Sequence, residues 1–160
     1  MDRLIYKRGN LFEAPPGSLL THSTNAQGSM GSGVALEFKK QAYNAFKKYE
    51  SHCLQFKNNK PSPLVGTSFL AVDEISQIKM LCLFTSEYYG KFVSPPSKII
   101  ESTRNALDHF AKSSSKIGKI EIHSPKINAG LFKTPWEETE NVIKEFLLKM
   151  PNATWTVWEL

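Results

Sequence analysis

Residues 22–40 have the sequence HSTNAQGSMGSGVALEFKK, and this stretch decides the fold class. Residues 18–23 (SLLTHS), which run into it, have the composition of a β-strand. Three glycines follow, and apolar residues at spacings of three or four then predict an amphipathic helix over residues 33–49. A strand, a glycine loop and a helix in this order are typical of open α/β sheets, which bind ligands at the carboxyl ends of their strands.

The glycine loop favours an anionic ligand. Glycine permits close approach of the backbone to a diphosphate, and the unpaired N–H groups and dipole of the following helix attract negative charge. The loop GSMGSG at residues 28–33 lacks the Lys-Ser/Thr ending of a Walker loop. It also lacks the full dinucleotide fingerprint and its acidic ribose partner. Taken alone, a plain glycine turn stays open as an alternative.

A second loop repeats the arrangement. Residues 125–134 (PKINAGLFKT) follow an alternating strand at residues 120–123, and Pro135 opens a predicted helix that extends through Lys149. We therefore expect both loops at the same edge of the sheet.

The remaining pattern predicts one domain over residues 1–160, with a central mixed sheet covered by helices on both faces. The expected strands cover residues 4–7, 64–72, 78–85 and 155–158, and Ser97 is expected to cap a helix over residues 98–111. The run at residues 78–85 is continuously apolar after Lys79, which predicts a strand buried on both faces.

Composition limits the functional classes. The net charge of +5 favours anionic ligands, but basic and aromatic residues are not interleaved as in single-strand binders, so we expect no nucleic acid partner. Cys53 and Cys82 form no metal or redox motif, and we expect buried free thiols, no metal and no cofactor. No stretch resembles a signal peptide or approaches the ~18 apolar residues of a membrane span. We expect a monomer inside the cell, in the cytoplasm and/or nucleus, with no membrane contact.

The two long motifs resemble those of the macrodomains. Residues 22–40 are similar to that family's first ligand loop, and residues 124–146 (SPKINAGLFKTPWEETENVIKEF) to its second loop and last helix. The resemblance extends from YKRGNLF at residues 6–12 to TVWEL at residues 156–160. Within the family the motifs, including LCLFTS at residues 81–86, are most similar to those of fungal ADP-ribose 1''-phosphate phosphatases. The resemblance implies a three-layer α/β/α macrodomain that holds ADP-ribose between its two loops.

The resemblance also implies a set of site residues. Asn25 matches an asparagine that faces the distal ribose, Trp158 matches an aromatic beside adenine, and Asn10 stands where many relatives have an adenine-binding aspartate. The implied substrate-binding residues are Gly9, Asn10, Leu11, Thr24, Ala26, Gly31, Ser32, Gly33, Val34, Ala35, Ile127, Asn128, Ala129, Gly130, Leu131, Phe132 and Trp158.

His22 is the candidate acid/base. It precedes Asn25 by three residues on the strand that enters the first loop, and an imidazole with an ordinary pKa near 6.5 can protonate a leaving oxygen or activate water. We assign His22 and Asn25 as catalytic, with Asn25 orienting the ribose and water. The alternative is a core histidine without a chemical role, and His123 is a lesser candidate.

Three functions remain open from the sequence. The first is a phosphatase acting on ADP-ribose 1''-phosphate, and the second is a non-catalytic ADP-ribose-binding module. The third is an O-acetyl-ADP-ribose deacetylase or ADP-ribosyl hydrolase. The branch that removes ADP-ribose from glutamate carries a lysine and an aspartate at positions that align near Ser86 and at Phe132, so the resemblance argues against that activity.

Overall fold

The computed structural model describes residues 3–114 and 116–160 and contains one six-stranded sheet. The strands are β1 Leu4–Arg8, β2 Leu19–Asn25, β3 Ser68–Val72, β4 Lys79–Ser86, β5 Ile120–Ser124 and β6 Ala153–Glu159. Their order in the sheet is β1-β6-β5-β2-β4-β3. All neighbours are parallel except β3, which pairs with β4 in the antiparallel direction, so the predicted mixed sheet is confirmed.

Within residues 3–114 and 116–160, four α-helices cover the sheet. They are α1 Gly33–Gln41, α2 Tyr43–Leu54, α3 Pro96–Ser114 and α4 Trp136–Lys149. Buried side chains of α1 and α2 belong to one hydrophobic cluster, and those of α3 and α4 belong to another. The three-layer α/β/α architecture is therefore confirmed. No helix within the described residues has both the length and the apolar character that a membrane crossing needs.

Strand β4, which lies between β2 and β3, shows why both faces of the sheet are covered by helices. Met80, Cys82 and Phe84 belong to the α1/α2 cluster, whereas Leu81 and Leu83 belong to the α3/α4 cluster. Successive side chains of a strand point to opposite faces, so a continuously apolar strand contributes to both cores. Both cysteines are buried free thiols, as predicted.

The predicted helix over residues 33–49 is wrong as a single helix. It breaks at Ala42, which has φ −135° and ψ 56°, and α2 begins at the next residue. The Asp73 carboxylate accepts the backbone N–H groups of Asn44 (2.9 Å) and Ala45 (3.3 Å). A buried carboxylate at the new N-terminus satisfies helix amides that would otherwise lack partners, which makes the break favourable.

Two predicted boundaries are also wrong. Strand β3 begins at Ser68 rather than residue 64, because residues 64–67 form a turn in which Gly66 has φ +86°. Helix α3 begins at Pro96, so Ser97 lies inside it and does not cap it. Proline suits the first helical position because no intrahelical bond is lost there.

The sheet opens between β2 and β5. In the described chain β2 pairs with β5 at Leu19 and Leu20 alone, whereas it pairs with β4 along its whole length. From β2 the chain crosses towards β4, and from β5 it crosses towards β6, so the strand order reverses at this point. Such a reversal leaves a crevice outside the carboxyl ends of the strands.

Candidate functional site

A cleft of about 680 Å³ lies at this opening, between the first loop (residues 25–33) and the second loop (residues 125–134). Most of the predicted site residues border it. They are His22, Thr24, Asn25, Gly31, Ser32, Gly33, Val34, Ala35, Ile127, Asn128, Gly130, Leu131 and Phe132. The structure therefore brings the two loops together as the sequence predicted, and the ligand-binding role of these residues stays a prediction.

Several bordering residues were not among the predicted site residues. They are Ser23, Ser29, Met30, Tyr89, Gly90, Pro125, Lys126 and Lys133. Most of these residues lie beside predicted residues in the same strand or loops. Their proximity in the sequence could therefore have identified them as part of the site. Tyr89 and Gly90 come from the loop after β4, which lacks the glycine-rich pattern that marked the first loop.

Asn25 shapes the first loop with its side chain. Its Oδ1 accepts the backbone N–H groups of Gln27 (3.0 Å) and Ser29 (3.3 Å), and its Nδ2 donates to the Ser29 carbonyl (2.9 Å). The buried Tyr49 hydroxyl donates to the Asn25 carbonyl at 2.7 Å. An amide group has two N–H donors, so one of them is left for a ligand. Asn25 therefore orders the loop, in addition to any role in orienting a ribose.

The N-terminus of α1 is open to the cleft. Ser32 occupies the capping position in an extended conformation, but its side chain makes no capping hydrogen bond, and the first turn carries no acidic residue. Gly33 has φ +61°, a backbone conformation that favours glycine. A Cβ placed on Gly33 would lie 3.4 Å from Leu131 Cδ1, so the two loops meet here. Free first-turn amides beside a cleft make a binding site for an anion.

The second loop is fixed by one buried side chain. Asn128 has φ +67°, its Nδ2 donates to the hydroxyls of Thr103 (2.9 Å) and Thr139 (3.2 Å), and its Oδ1 accepts from Thr85 (3.2 Å). The three threonines come from α3, α4 and β4, and all are fully buried. The Asn128 side chain therefore holds the loop to the scaffold.

His22 borders the cleft but is almost entirely buried, with 1% of its surface exposed. Its ring stacks on Phe38 of α1 at a centroid distance of 4.2 Å, and neither ring nitrogen has a hydrogen-bond partner within the described chain. Burial lowers the pKa of His22 from 6.5 to about 3. Desolvation causes this shift because it penalises the charged form, and the acid/base role of His22 stays a prediction. In the free protein His22 is neutral at physiological pH.

The residues predicted to bind adenine gather at one end, beyond the cleft. Gly9 lies against Trp158, since a Cβ on Gly9 would be 3.1 Å from Trp158 Cζ3. Trp158 Nε1 donates to His123 Nδ1 at 2.9 Å. Asn10 caps a short 3₁₀ helix with its side-chain oxygen, and Leu11 is buried in the α1/α2 cluster. Ala26 and Ala129, also predicted, do not border the cleft either.

Charge around the cleft favours an anion. Lys126 and Lys133 border it, and no Asp or Glu occurs among the described residues that line it. Lys126 Nζ lies 2.7 Å from Glu159 Oε1, so its charge is already balanced. The cleft thus combines open helix amides with a net positive rim, which suits a phosphorylated ligand.

Comparison with known proteins gives one consistent result. The Macro domain family model matches residues 21–143. The ADP-ribose 1''-phosphate phosphatase of Meyerozyma guilliermondii is 36% identical, over 91% of this chain and 94% of the relative. The Candida albicans protein of the same name is 36% identical, over 88% and 92%. The solved macrodomain of Thermus aquaticus DarG superimposes with a TM-score of 0.76 at 25% identity, over 98% of both chains.

Proposed function

The chain belongs to the macrodomain family, and from this premise we propose that it hydrolyses ADP-ribose 1''-phosphate to ADP-ribose and inorganic phosphate. Two fungal relatives that align along nearly their whole length carry the name of this activity. The substrate would lie across the cleft, with its diphosphate between the two loops and its adenine towards Trp158.

The open N-terminus of α1 is the observation that carries the proposal. Its first-turn amides face the cleft at Gly33, Val34 and Ala35, with no capping side chain and no acidic residue to compete for them. Positioned amides of this kind bind the oxygens of the diphosphate and thereby fix the substrate in the cleft.

The chemistry requires only water and positioning. The oxygen of a water molecule forms a bond to phosphorus while the bond from phosphorus to the 1'' oxygen breaks. The electron pair of the broken bond stays on the 1'' oxygen, which takes up a proton and leaves as the ribose hydroxyl. The phosphoryl group departs as inorganic phosphate, so one water is consumed and no cofactor is needed.

His22 supplies the proton transfer in this proposal. Its two unpartnered nitrogens can accept from water or donate to an oxygen of the substrate. Although burial lowers the pKa of His22 in the free protein, a phosphate dianion beside the ring favours the imidazolium and raises that pKa again. Substrate binding thus brings His22 closer to the range in which it acts as an acid or base.

The lowered pKa of His22 also favours a second candidate function, that of a non-catalytic module that binds ADP-ribose. An imidazole that stays neutral can complete a binding pocket without transferring a proton. The two functions share the cleft and differ in turnover alone.

Phosphate release from ADP-ribose 1''-phosphate tests the proposal directly. Wild-type protein should release one phosphate per substrate, and His22→Ala should lose at least about 100-fold in kcat, because general acid–base catalysis contributes on that order. His109→Ala is the matched control, since His109 is exposed on α3 and bonds Ser68 away from the cleft. Absence of release by the wild type, together with tight ADP-ribose binding in calorimetry, would establish the non-catalytic function instead.

A further inference from the structure

We propose that Lys133 binds the terminal phosphate of the substrate and makes this chain distinguish ADP-ribose 1''-phosphate from ADP-ribose. The inference rests on the proposed function, from which it takes the ligand. It concerns specificity, which the amides of α1 do not supply, because the diphosphate they face is present in both compounds.

Lys133 carries the uncompensated charge of the cleft. It borders the cleft together with Lys126, but Lys126 forms an ion pair with Glu159 at 2.7 Å. No ion pair of Lys133 occurs among the described residues, and no carboxylate lines the cleft there. A lysine ammonium without a partner is a point charge with three donors, which suits a phosphate dianion.

The position of Lys133 along the cleft matches the far end of the ligand. The Asn128 carbonyl accepts the N–H of Thr134 at 2.8 Å, so the chain at Lys133 returns to Asn128. Asn128 in turn bonds Thr85 at the carboxyl end of β4, the strand that leads to Tyr89 and Gly90 in the cleft wall.

The adenine base of the ligand lies at the opposite end, beyond the cleft. Gly9 and Trp158 lie at the ends of β1 and β6, on the far side of β5 from β4. A ligand with adenine near Trp158 therefore places its distal ribose towards β4 and Lys133. The 1''-phosphate is attached to that ribose, whereas the diphosphate lies in the middle, between the two loops.

The backbone at Lys133 is held in a costly conformation. Its φ is +52°, in the left-handed region that lysine rarely adopts, and its N–H donates to the Gly130 carbonyl at 3.0 Å. Glycine or asparagine would occupy this conformation at lower cost. A strained, charged residue at a cleft is a reason to look for a role of its side chain.

The discriminating measurement is the ratio of the affinities for the two compounds. Lys133→Gly and Lys133→Asn remove the charge and both accept the left-handed backbone, so folding is preserved. Either change should raise the KM for ADP-ribose 1''-phosphate roughly tenfold, the loss of one charge-assisted contact, while the Kd for ADP-ribose changes less than about twofold. Lys133→Arg should restore the wild-type ratio to within about threefold.

Lys126→Met is the matched comparison, because it removes a lysine from the same loop whose charge Glu159 balances. It should leave the ratio unchanged. A Lys133→Gly protein that loses affinity for both compounds equally, or for neither, overturns the inference even if phosphate release is normal. If the wild type releases no phosphate, the proposed function fails on its own, and the same ratio is obtained from Kd values for both compounds by calorimetry.

Discussion

Two of the crossovers that leave the carboxyl edge of the sheet, one after β2 and one after β5, share the same order of elements but differ in how their polar groups are paired. In the first crossover, β2 carries His22, the loop contains Asn25, and α1 follows; in the second, β5 carries His123, the loop contains Asn128, and α4 follows. His22 has no hydrogen-bond partner within the described chain, whereas His123 accepts from Trp158. The first turn of α1 has no acidic residue, whereas the first turn of α4 contains Glu137 and Glu138.

This difference indicates that the first crossover binds the ligand and that the second supports the structure. The second crossover gives the Asn128 side chain three threonine partners and places two acidic residues, Glu137 and Glu138, in the first turn of α4, where their charge complements the helix dipole. Within the described residues, the first leaves the buried His22 imidazole without a hydrogen-bond partner and the first-turn amides of α1 without a capping side chain. Buried polar groups normally have hydrogen-bond partners. We therefore expect the ligand to bind at the first crossover, where such groups are unpaired.

Gly33→Glu should have the largest effect on ligand affinity, because it changes the open N-terminus of α1. A glutamate there places a negative charge at the amides proposed to hold the diphosphate, strains a backbone with φ +61°, and brings its Cβ into contact with Leu131. We expect the Kd for ADP-ribose to rise about 1000-fold, equivalent to about 4 kcal/mol, in isothermal titration calorimetry.

Gly130→Glu is the counterpart in the second loop. A Cβ on Gly130 meets no atom within 4 Å, and its φ is outside the left-handed region, so the glutamate can turn towards solvent. We expect a loss of affinity of about tenfold at most. Equal losses for the two glutamates would remove the distinction between the crossovers.

Asn128→Ala should have the second-largest effect, and it acts on stability. The change leaves the buried hydroxyls of Thr85, Thr103 and Thr139 without their shared partner, and alanine is disfavoured at φ +67°. We expect the free energy of unfolding to fall by about 3 kcal/mol in urea denaturation.

Asn25→Ala is the comparison from the first loop. Its partners Gln27 and Ser29 are partly exposed and can bond water, and Tyr49 keeps its bond to the Asn25 carbonyl. We expect a cost of about 1 kcal/mol. A larger cost at Asn25 than at Asn128 would show that the first loop, rather than the second, is the rigid one.

The two loops and their helices were predictable because their signals are local. Glycine spacing and apolar periodicity lie within about 20 residues of each loop. The break at Ala42 was not predictable, because its cause is a carboxylate on Asp73, 29 residues from the amide of Asn44. Apolar periodicity along a helix gives no information about a capping side chain that comes from a distant part of the sequence.

The state of the site residues was less predictable than their position. The sequence places His22 three residues before Asn25, but its burial depends on how α1 docks and brings Phe38 against the ring. The left-handed backbone of Lys133 is likewise set by closure of the second loop onto Asn128, at a position where a lysine gives no turn signal.

The third pair of variants distinguishes the two histidines by the pH dependence of stability, with a smaller leading effect than Gly33→Glu or Asn128→Ala. The pKa of His22 is near 6.5 when unfolded and about 3 when folded, so between these values the unfolded chain binds more protons. Stability from this group is therefore present at neutral pH and is lost as pH falls from about 6.5 towards 3. From pH 7.5 to pH 5.0 the wild type should lose about 2 kcal/mol more than His22→Phe in urea unfolding.

His123→Phe gives the contrast that completes the comparison. It takes the acceptor from Trp158 Nε1, so it should reduce stability by about 1 kcal/mol at pH 7.5. Because burial also lowers the pKa of His123, the cost should be smaller at pH 5.0. Carboxylates also titrate in this pH range. They do so in the wild type and in both histidine variants, so their contribution cancels when the free energies of unfolding are compared. If His22→Phe follows the wild type at both pH values, His22 has a partner or an ordinary pKa in solution. His22 would then be as well satisfied as His123, and its imidazole would need no ligand to complete its hydrogen bonds.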